Sequence, residues 1–341
     1  MAKTVRMSDI AQKLGVSNVT VSKALADKDG VSAELREKIK KLAQEMGYHQ
    51  NAAARSLKGG CTFNIGILVP EKFVVLSSHS FYWELYQKLC KALSKREYYG
   101  ILEVLTKKDE ENLVLPRMML DSKVDGVIVI GQIKSEYIGA LLKYDKIPLM
   151  FLDSYDKNYN YDVVLSDNFY GMYQLTDYLV KTGHKKIFFV GNYYATSSIQ
   201  DRFLGYMKGL LDNRIEFEKD WVIFDREIGE AQITFSLPKE IPDAFACNCD
   251  EVAHVVIKTL TQNGYKVPED VSVVGFDHFL SSEAQSQSGG YQITTFDVNM
   301  KEMAERAVDV LIKKINHKDI KQSRRTVTGS LIIGNTVKKR K

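Results

Sequence analysis

A short amphipathic segment begins a few residues into the chain. In residues 7–14, the apolar residues Ile10, Ala11 and Leu14 recur at the spacing of one helical face. Gly15 follows directly, and glycine readily adopts the left-handed conformation with which many helices end. The pattern therefore predicts a first helix of about two turns that ends at Gly15.

Two further helices are predicted before residue 50. Ser17 can cap a helix over 18–26, and Ser32 can cap a third helix that ends at Gly47, because a serine oxygen accepts a hydrogen bond from the first free amides of a helix. The third helix carries one apolar stripe, which consists of Leu35, Ile39, Leu42, Ala43 and Met46. Three short helices with a tight turn between the first two are typical of a helix-turn-helix unit, although a three-helix bundle that binds no DNA has the same pattern.

Beyond Gly60 the pattern changes to short apolar strands that alternate with helices. Strands are predicted at 63–70, 100–105, 126–130, 147–152, 163–165, 187–190, 221–224, 244–246 and 271–275. Helices are predicted at 81–95, 110–121, 168–182, 201–213 and 250–263. Alternation of this kind is typical of parallel α/β sheets, and the number of strands is sufficient for two sheets. The sequence thus predicts an all-α headpiece followed by an α/β body with two similar subdomains.

The charge of the chain is mild but unevenly distributed. Its 341 residues are 45% hydrophobic and 26% charged, and the net charge is +4. Residues 1–60 hold 11 Lys and Arg against 6 Asp and Glu, a balance of +5, so the rest of the chain carries −1. A positive excess confined to the predicted helical region is what a DNA-binding head on a neutral body would have, although a solvated charged face would have it too.

The sequence does not have the features of an exported or membrane protein. It has no run of about 18 apolar residues, and residues 1–6 contain no apolar signal region. The four cysteines, Cys61, Cys90, Cys247 and Cys249, are irregularly spaced, which argues against a disulfide framework. We therefore expect a cytoplasmic protein that does not bind a membrane.

The second predicted helix would enter the major groove of DNA. Its N-terminal residues Asn18 and Val19 would meet base edges, and Lys23 would donate to guanine O6 or N7. Hydroxyl groups are better suited to phosphate contacts that fix the register, and the candidates are Ser8, Ser17, Thr20 and Ser22. Base recognition by this headpiece would then depend on three side chains of one helix.

The run MSDIAQKLGVSNVTVSKAL, residues 7–25, resembles the N-terminal signature of the lactose-repressor (LacI/GalR) family of bacterial transcription regulators. Residues 31–39 and 46–51 resemble the third helix of that family and its exit. The resemblance implies sequence-specific DNA binding and association with the bacterial nucleoid. It strongly disfavours a three-helix bundle that binds no DNA. The implied effector is a sugar or sugar derivative, while a nucleobase or a phosphorylated partner protein also occurs in the family.

Residues 51–58 favour a helix of about two turns, which is unstable by itself in water. In the family this segment is a hinge helix, and a leucine from it wedges between base pairs at the operator centre. Leu57 occupies that position here, and Asn51 and Arg55 complete the candidate DNA contacts. The segment is equally compatible with a linker that becomes ordered only on binding.

The body resembles the periplasmic sugar-binding protein fold that the repressor family shares, most clearly at 182–187 and 267–277. The resemblance implies two doubly wound parallel-sheet subdomains, with chain crossings near 162, 290 and 323. The predicted division is a headpiece over 1–50, a hinge over 51–60 and a body over 61–341, in which the N-subdomain holds about 61–162 and 290–322 and the C-subdomain about 163–289 and 323–338.

Ligands of open α/β sheets bind beyond the carboxyl ends of the strands, and two facing subdomains place such ends on both sides of a cleft. A sugar needs bidentate polar groups for its hydroxyls and an apolar surface for its ring. Arg202 and Asp277 match an arginine and an aspartate that bind the ligand in the family. The other candidates are Phe81, Tyr82, Asp153, Leu165, Ser166, Cys249 and Asp250.

Cys249 departs from the family, in which many relatives have an asparagine directly before the aspartate equivalent to Asp250. Loss of that amide weakens the case for a simple hexose. Cys247 and Cys249 complete neither a tetrahedral metal site nor a Cys-x-x-Cys redox motif, so no metal and no cofactor are expected. His184 has no visible acid partner, and it is predicted to be structural.

Two other functions are compatible with an α/β body. A sugar-acting enzyme is disfavoured because no dinucleotide, phosphate-loop, nucleophile-elbow or zincin motif is present, and a solute-binding protein is disfavoured by the basic headpiece. The preferred hypothesis is a ligand-responsive repressor of carbohydrate-use genes. It would bind a palindromic operator as a homodimer, because one headpiece reads only a half-site. Residues 338–341 are expected to form a solvated tail without tetramerising heptads.

Overall fold

The computed structural model describes residues 5–25, 27–48, 60–74, 81–230, 232–280, 282–287, 289–317 and 320–340. The chain divides into two compact units, Met1–Thr62 and Phe63–Lys341. The predicted hinge residues Asn51, Arg55 and Leu57 lie outside the described residues.

The first unit contains the three predicted helices, α1 (Met7–Leu14), α2 (Asn18–Leu25) and α3 (Ala33–Glu45). Gly15 ends α1 with a φ of 64°, in the left-handed region that glycine tolerates. The apolar faces of the three helices form one core, whose buried members are Ile10, Ala11, Val21, Ala24, Ile39 and Ala43. The helix-turn-helix prediction is therefore confirmed at the level of its elements.

The turn after α2 is tied to α3 by ion pairs that the sequence pattern did not reveal. Asp27 lies 3.0 Å from the Arg36 guanidinium and 2.8 Å from the Lys40 ammonium. Arg36 also donates to the carbonyl of Lys28. These contacts fix the exit of α2, the helix that would read DNA, against the longest helix of the headpiece.

The N-subdomain of the body is built on one six-stranded sheet of parallel strands. In the order in which they lie side by side, the strands are β11 (Arg324–Val327), β5 (Val163–Ser166), β4 (Leu149–Leu152), β3 (Gly126–Ile130), β1 (Asn64–Pro70) and β2 (Tyr99–Leu105). The helices of this part are α4 (Phe81–Ser94), α5 (Lys107–Glu111), α6 (Arg117–Leu120), α7 (Ser135–Lys143) and α12 (Met300–Ile315). The inner strands are buried almost throughout, as expected of a parallel sheet covered on both faces.

The C-subdomain repeats this design on a smaller sheet. Its four parallel strands lie in the order β7 (Val222–Ile223), β6 (Ile187–Val190), β8 (Ala244–Cys247) and β9 (Ser272–Val274). An antiparallel pair, β10 (Thr295–Asp297) and β12 (Ser330–Ile332), adjoins β9 through the bridges Val274–Thr294 and Asp277–Asp297. The helices are α8 (Asn168–Lys181), α9 (Ser197–Asp212), α10 (Asp250–Gln262) and α11 (Ser282–Gln287). The predicted class, two parallel-sheet subdomains, is confirmed.

The predicted crossings between the subdomains lie several residues too early. β5 pairs with β4, so the chain leaves the N-subdomain after Ser166 and not near 162. β10 still belongs to the C-subdomain, so the second crossing follows Asp297 and not 290. β11 pairs with β5, so the third crossing follows Val327 and not 323. Apolar patterning locates a strand, but it carries no signal for the sheet to which the strand belongs.

The single helix predicted over 110–121 is wrong. The structure has two short helices there, α5 and α6, separated by a loop in which Leu113 has a φ of 55°. Pro116 precedes α6, where its missing amide is tolerated, and the Glu103 carboxylate accepts from the amides of Arg117 and Met118. The prediction also omitted α7 and α12 altogether.

The tail of the chain is docked and not solvated as predicted. The Arg340 amide donates to the Thr182 carbonyl at 2.7 Å, and its guanidinium donates to the Asp243 carboxylate at 2.8 Å. The amide of Lys338 donates to Ser272 Oγ, which also contacts His184 Nε2 at 2.8 Å. His184 is fully buried, and burial lowers the pKa of its imidazole, so its predicted structural role agrees with its position. None of the described helices is long and apolar enough to span a bilayer.

Candidate DNA-binding and ligand-binding sites

The outward face of α2 presents the three residues predicted to read bases. Asn18, Val19 and Lys23 are all exposed, and 64% of the Val19 surface is accessible, which is unusual for an apolar residue in a packed three-helix unit. Val21 and Ala24, on the opposite face of the same helix, are fully buried. The inner face of α2 therefore packs in the headpiece core. Its outer face presents polar and apolar side chains that can contact base edges in the major groove of DNA.

The hydroxyl candidates surround the start of α2. Ser17 Oγ accepts from the amide of Thr20 at 3.1 Å and lies 2.9 Å from Thr20 Oγ1, so both residues also support the helix start. Ser8 is exposed at the beginning of α1, and Ser22 is half-buried on α2. The four hydroxyls thus lie on the two helices that a helix-turn-helix protein places against DNA, where they can contact phosphates.

Arg202 is the most constrained side chain of the predicted ligand site. It projects from α9, it is only 5% exposed, and its guanidinium lies 4.0 Å from the centre of the Phe276 ring. Nε donates to Asn168 Oδ1 at 2.8 Å, and Nη1 donates to the carbonyl of Asn248 at 2.6 Å. Two elements beside α9 therefore fix the plane of this guanidinium.

Asp277 completes the arrangement from the end of β9. Its Oδ1 accepts from Arg202 Nη2 at 2.8 Å, and its backbone has a φ of 94°. Burial raises the pKa of the Asp277 carboxyl, while the Arg202 charge opposes that shift. Since a guanidinium has five N–H donors, this network leaves a donor of Nη2 for a ligand. The structure brings together the two strongest candidates of the sequence.

Asp153 and Tyr82 face this pair from the N-subdomain. Asp153 directly follows β4, has a φ of 66° and is 4% exposed. Tyr82 OH donates to Asp153 Oδ2 at 3.0 Å, and Asp153 is near enough to Arg202 and Asp277 for their charges to act on its pKa. Burial raises the pKa of Asp153 to about 6. Phe81 also reaches across the cleft, because its ring lies 6.3 Å from that of Phe279 in the C-subdomain.

A second guanidinium, Arg226, was missed by the sequence analysis. It follows the short strand β7, and its Nε and Nη2 donate to Asp225 Oδ2 at 2.8 and 2.7 Å. Asn248 Nδ2 donates to the same oxygen at 2.9 Å. Arg226 also interacts with Cys249, whose thiol pKa burial raises to about 12. The signal was present, because Asp225 and Arg226 follow a predicted strand, as Asp277 does.

Three further predicted ligand residues are buried, and one of them lies in the hydrophobic core. Leu165 is part of the hydrophobic core beside Phe151 and Val163, because its position within β5 turns it into the sheet packing. Asp250 is 2% exposed, and its Oδ2 accepts from the amide of Phe279 at 2.9 Å, so it supports the wall of the cleft from behind. Ser166 is likewise buried at the end of β5.

The rim of the cleft is bridged by contacts between the subdomains. Tyr155 OH donates to Asp201 Oδ1 at 2.7 Å, and the Arg324 guanidinium lies 3.7 Å from the centre of the Tyr155 ring. Beside them, the amide of Ser197 donates to Gln132 Oε1 at 3.3 Å. These contacts join the start of α9 to the N-subdomain, so a change in the opening of the cleft would break them.

A separate cavity of about 510 Å³ lies at the amino ends of the C-subdomain strands, away from the cleft. It is lined by residues that include His184, Lys185, Arg214 and Trp221. Within the described part of the chain, no three His, Cys, Asp or Glu side chains are grouped as metal ligands.

Comparison with known proteins gives two family matches. Residues 6–51 match the model of bacterial regulatory proteins of the lacI family, and residues 176–337 match a periplasmic binding protein-like domain. The chain is 29% identical over 339 residues to the HTH-type transcriptional repressor PurR of Mannheimia succiniciproducens, with 98% of each chain covered. It is also 29% identical to PurR of Haemophilus influenzae strain PittEE, with 97% of this chain and 98% of the relative covered.

Solved structures share the fold at lower identity. A lac repressor dimer bound to operator and the anti-inducer ONPF has a TM-score of 0.73 at 21% identity, and the match covers 98% of this chain and all of the other. A transcriptional regulator CelR–cellobiose complex has a TM-score of 0.68 at 21% identity, covering 97% and 99% of the two chains. A LacI family regulator from Enterococcus faecium with bound ribose has a TM-score of 0.64 at 20% identity, covering 82% and 100%.

These features define a class of protein, a helix-turn-helix DNA-binding protein whose body has the fold of a periplasmic binding protein. The chain resembles bacterial regulatory proteins of the lacI family over residues 6–51, and it resembles PurR transcriptional repressors over nearly its whole length. It is therefore a ligand-responsive, DNA-binding transcription regulator and not an enzyme.

Proposed function

We propose that the protein represses transcription as a homodimer on a near-palindromic operator, and that a sugar or sugar derivative in the cleft controls its affinity for that operator. The observation that carries the proposal is the Arg202–Asp277 pair, held at 2.8 Å inside the body, with the Asp153 carboxylate facing it from the other subdomain. A ligand that contacts both walls would couple the subdomain arrangement to its own binding.

The chemistry of the cleft suits a polyhydroxylated ring. Arg202 offers a fixed donor, Asp153 and Asp277 offer acceptors, and Phe81, Tyr82 and Phe279 supply ring faces and edges. Aromatic surfaces with a few convergent polar groups are typical of sites for small ligands. Two neighbours of the same fold carry cellobiose and ribose, which supports a carbohydrate as the effector.

The dimer follows from the geometry of DNA recognition. One α2 helix reads only a half-site, so a second copy related by two-fold symmetry would give a palindromic operator. A lac repressor of similar fold binds its operator as a dimer. Residues 51–58 would then form paired hinge helices, with Leu57 wedged into the minor groove and with Asn51 and Arg55 beside it.

Two experiments on the full chain test the proposal. The chain first selects DNA duplexes from a random library, and mobility-shift titration then measures its affinity for them. We expect an inverted-repeat consensus, and we expect Asn18→Ala to reduce its preference over random DNA. Val114→Ala, a change at an exposed residue of the body, is the control and should leave it intact. Titration of the selected operator complex with a panel of pentoses, hexoses and disaccharides should identify a sugar that shifts its affinity.

A chain that binds sugars but shows no sequence preference for DNA would be a solute-binding protein, and the proposal would be wrong. Selective operator binding that no sugar in the panel changes, while a nucleobase does, would refute the carbohydrate effector and leave the repressor role standing.

A further inference from the structure

Two arginines of the cleft each form an ion pair with an aspartate, and one further aspartate has no such partner. Arg202 is paired with Asp277 at 2.8 Å, and Arg226 is paired with Asp225 at 2.7 Å. Asp250 lies behind the wall of the cleft, where its Oδ2 accepts from the amide of Phe279, and it too has a buried oxygen, Oδ1, without a hydrogen-bond partner among the described residues. Among the described residues, Asp153 is then the cleft carboxylate without a cation of its own.

The carboxyl group of Asp153 is also incompletely hydrogen-bonded. Tyr82 OH donates to Oδ2, but Oδ1 is buried and has no hydrogen-bond partner within the described chain. A buried carboxylate oxygen without a donor is costly, and native proteins rarely retain one without a functional reason. The missing partner is a donor, and an additional positive charge would satisfy it best.

Tyr82, which donates to this carboxyl group, belongs to a cluster of aromatic rings. The Tyr82 ring lies 4.4 Å from that of Phe73 and 5.3 Å from that of Phe81, which in turn lies 6.3 Å from Phe279. Gly131 permits the close packing, because a Cβ there would lie 2.8 Å from Phe73. A carboxylate beside an aromatic cluster is suited to a cation, since the negative face of a ring attracts a positive charge.

We propose that the effector carries an ammonium group that binds Asp153 Oδ1 beside the rings of Phe81 and Tyr82, and that it is an amino sugar and not a neutral sugar. The sugar ring would contact Arg202 and Asp277, whose charges already neutralise each other. The ammonium would be the cationic partner that Asp153 lacks. The inference rests on the proposed function, since it takes the cleft to be the effector site.

Calorimetric titration of the full chain without DNA provides the test. Glucosamine, galactosamine and mannosamine are each compared at pH 7 with the parent hexose and with the N-acetyl derivative, which has no charge. We expect at least one amino sugar to bind about 10- to 100-fold more tightly than both of its uncharged counterparts, as a hydrogen bond to a charged group would provide. Asp153→Asn should bring that ratio close to one.

Asp145→Asn is the matched control, because Asp145 is exposed at the amino end of β4 while Asp153 follows its carboxyl end. It should preserve the ratio. Asparagine tolerates the positive φ of Asp153, and should the variant still fold poorly, the loss of affinity on N-acetylation decides the question for the unaltered protein.

Three results would overturn the inference. They are equal affinity for each amino sugar and its parent hexose, no binding of any amino sugar, and an affinity ratio that is unchanged in Asp153→Asn. Operator binding, measured on the same protein, separates this failure from that of the proposed function. A chain that binds operator but no amino sugar would lose only the charge assignment.

Discussion

The Arg202 guanidinium donates hydrogen bonds to several buried groups. Removal of Arg202 would leave those groups without a partner. In Arg202→Leu, the carbonyl of Asn248 and the side-chain oxygen of Asn168 each lose a donor, and the Asp277 carboxylate loses its counter-ion. Leucine keeps an apolar side chain over the Phe276 ring. The substitution therefore removes charge and hydrogen bonds while it preserves much of the packing.

We expect Arg202→Leu to lower the free energy of unfolding of the C-subdomain by about 3–5 kcal/mol, the range for removing one partner of a buried ion pair. Two buried acceptors left without donors favour the upper part of that range. Loss of ligand binding in this variant would thus accompany a loss of stability, so a binding assay alone would misassign the residue.

Urea denaturation followed by tryptophan fluorescence measures the effect, because the buried Trp221 reports on the C-subdomain. Without Arg202 the pKa of the buried Asp277 rises further above its ordinary value of 3.8, so the folded variant takes up a proton that the unfolded chain releases. Stability of the variant then falls as the pH rises through that window. The loss relative to the unaltered protein should be larger at pH 8 than at pH 5.

A second substitution, Asp277→Asn, made in the Arg202→Leu background should recover part of the stability, because it removes the isolated charge. A loss below about 1 kcal/mol, a loss independent of pH, or no recovery in the double variant would refute the assignment of Arg202 and Asp277 as a buried ion pair.

Three further changes test other parts of the structure. Lys23→Ala should relax base preference at one half-site position by about 1–3 kcal/mol in competition mobility shifts, whereas equal losses on all sequences would make Lys23 a phosphate contact. Gly205→Ala should lower the melting temperature, because a Cβ there would lie 2.1 Å from the carbonyl of Phe169, and a stabilised variant would contradict this close crossing of α8 and α9. Arg340→Ala should destabilise the body by about 1–2 kcal/mol in urea through lost contacts to Asp243 and Asp270, and an unchanged midpoint would show that the tail is dispensable.

The headpiece could be predicted closely from the sequence because its signals are local. Helix spacing, the glycine at position 15 and the serine caps at 17 and 32 each depend on a few neighbouring residues, and the structure agrees with them. The ion pairs of Asp27 with Arg36 and Lys40 escaped, since pairing across nine and thirteen residues leaves no periodic trace.

In the body, strand positions could be predicted, but sheet membership could not. β5 and β11 belong to the same sheet although about 160 residues separate them, as the pairing of Val163 with Arg324 shows. No local pattern records such a partner. The same limitation explains why Leu165 was expected in the cleft and lies in the core.

Within the cleft, the family resemblance indicated Arg202 and Asp277, and strand-end position indicated Asp153 and Asp277. Arg226 was not identified, although it lies just beyond the strand predicted over 221–224, because its pairing with the buried Asp225 is a matter of side-chain geometry. Asp277 has a cationic partner, whereas Asp153 has none among the described residues. This difference depends on side-chain geometry, which the sequence does not contain.

The most direct test of the account is reciprocal titration of the full chain. The affinity for its selected operator is measured with and without saturating effector, and the affinity for that effector is measured with and without operator. Linkage requires both to change by the same factor, which we expect to lie between about 5 and 150. An effector that binds the body but leaves operator affinity unchanged would contradict ligand-controlled repression.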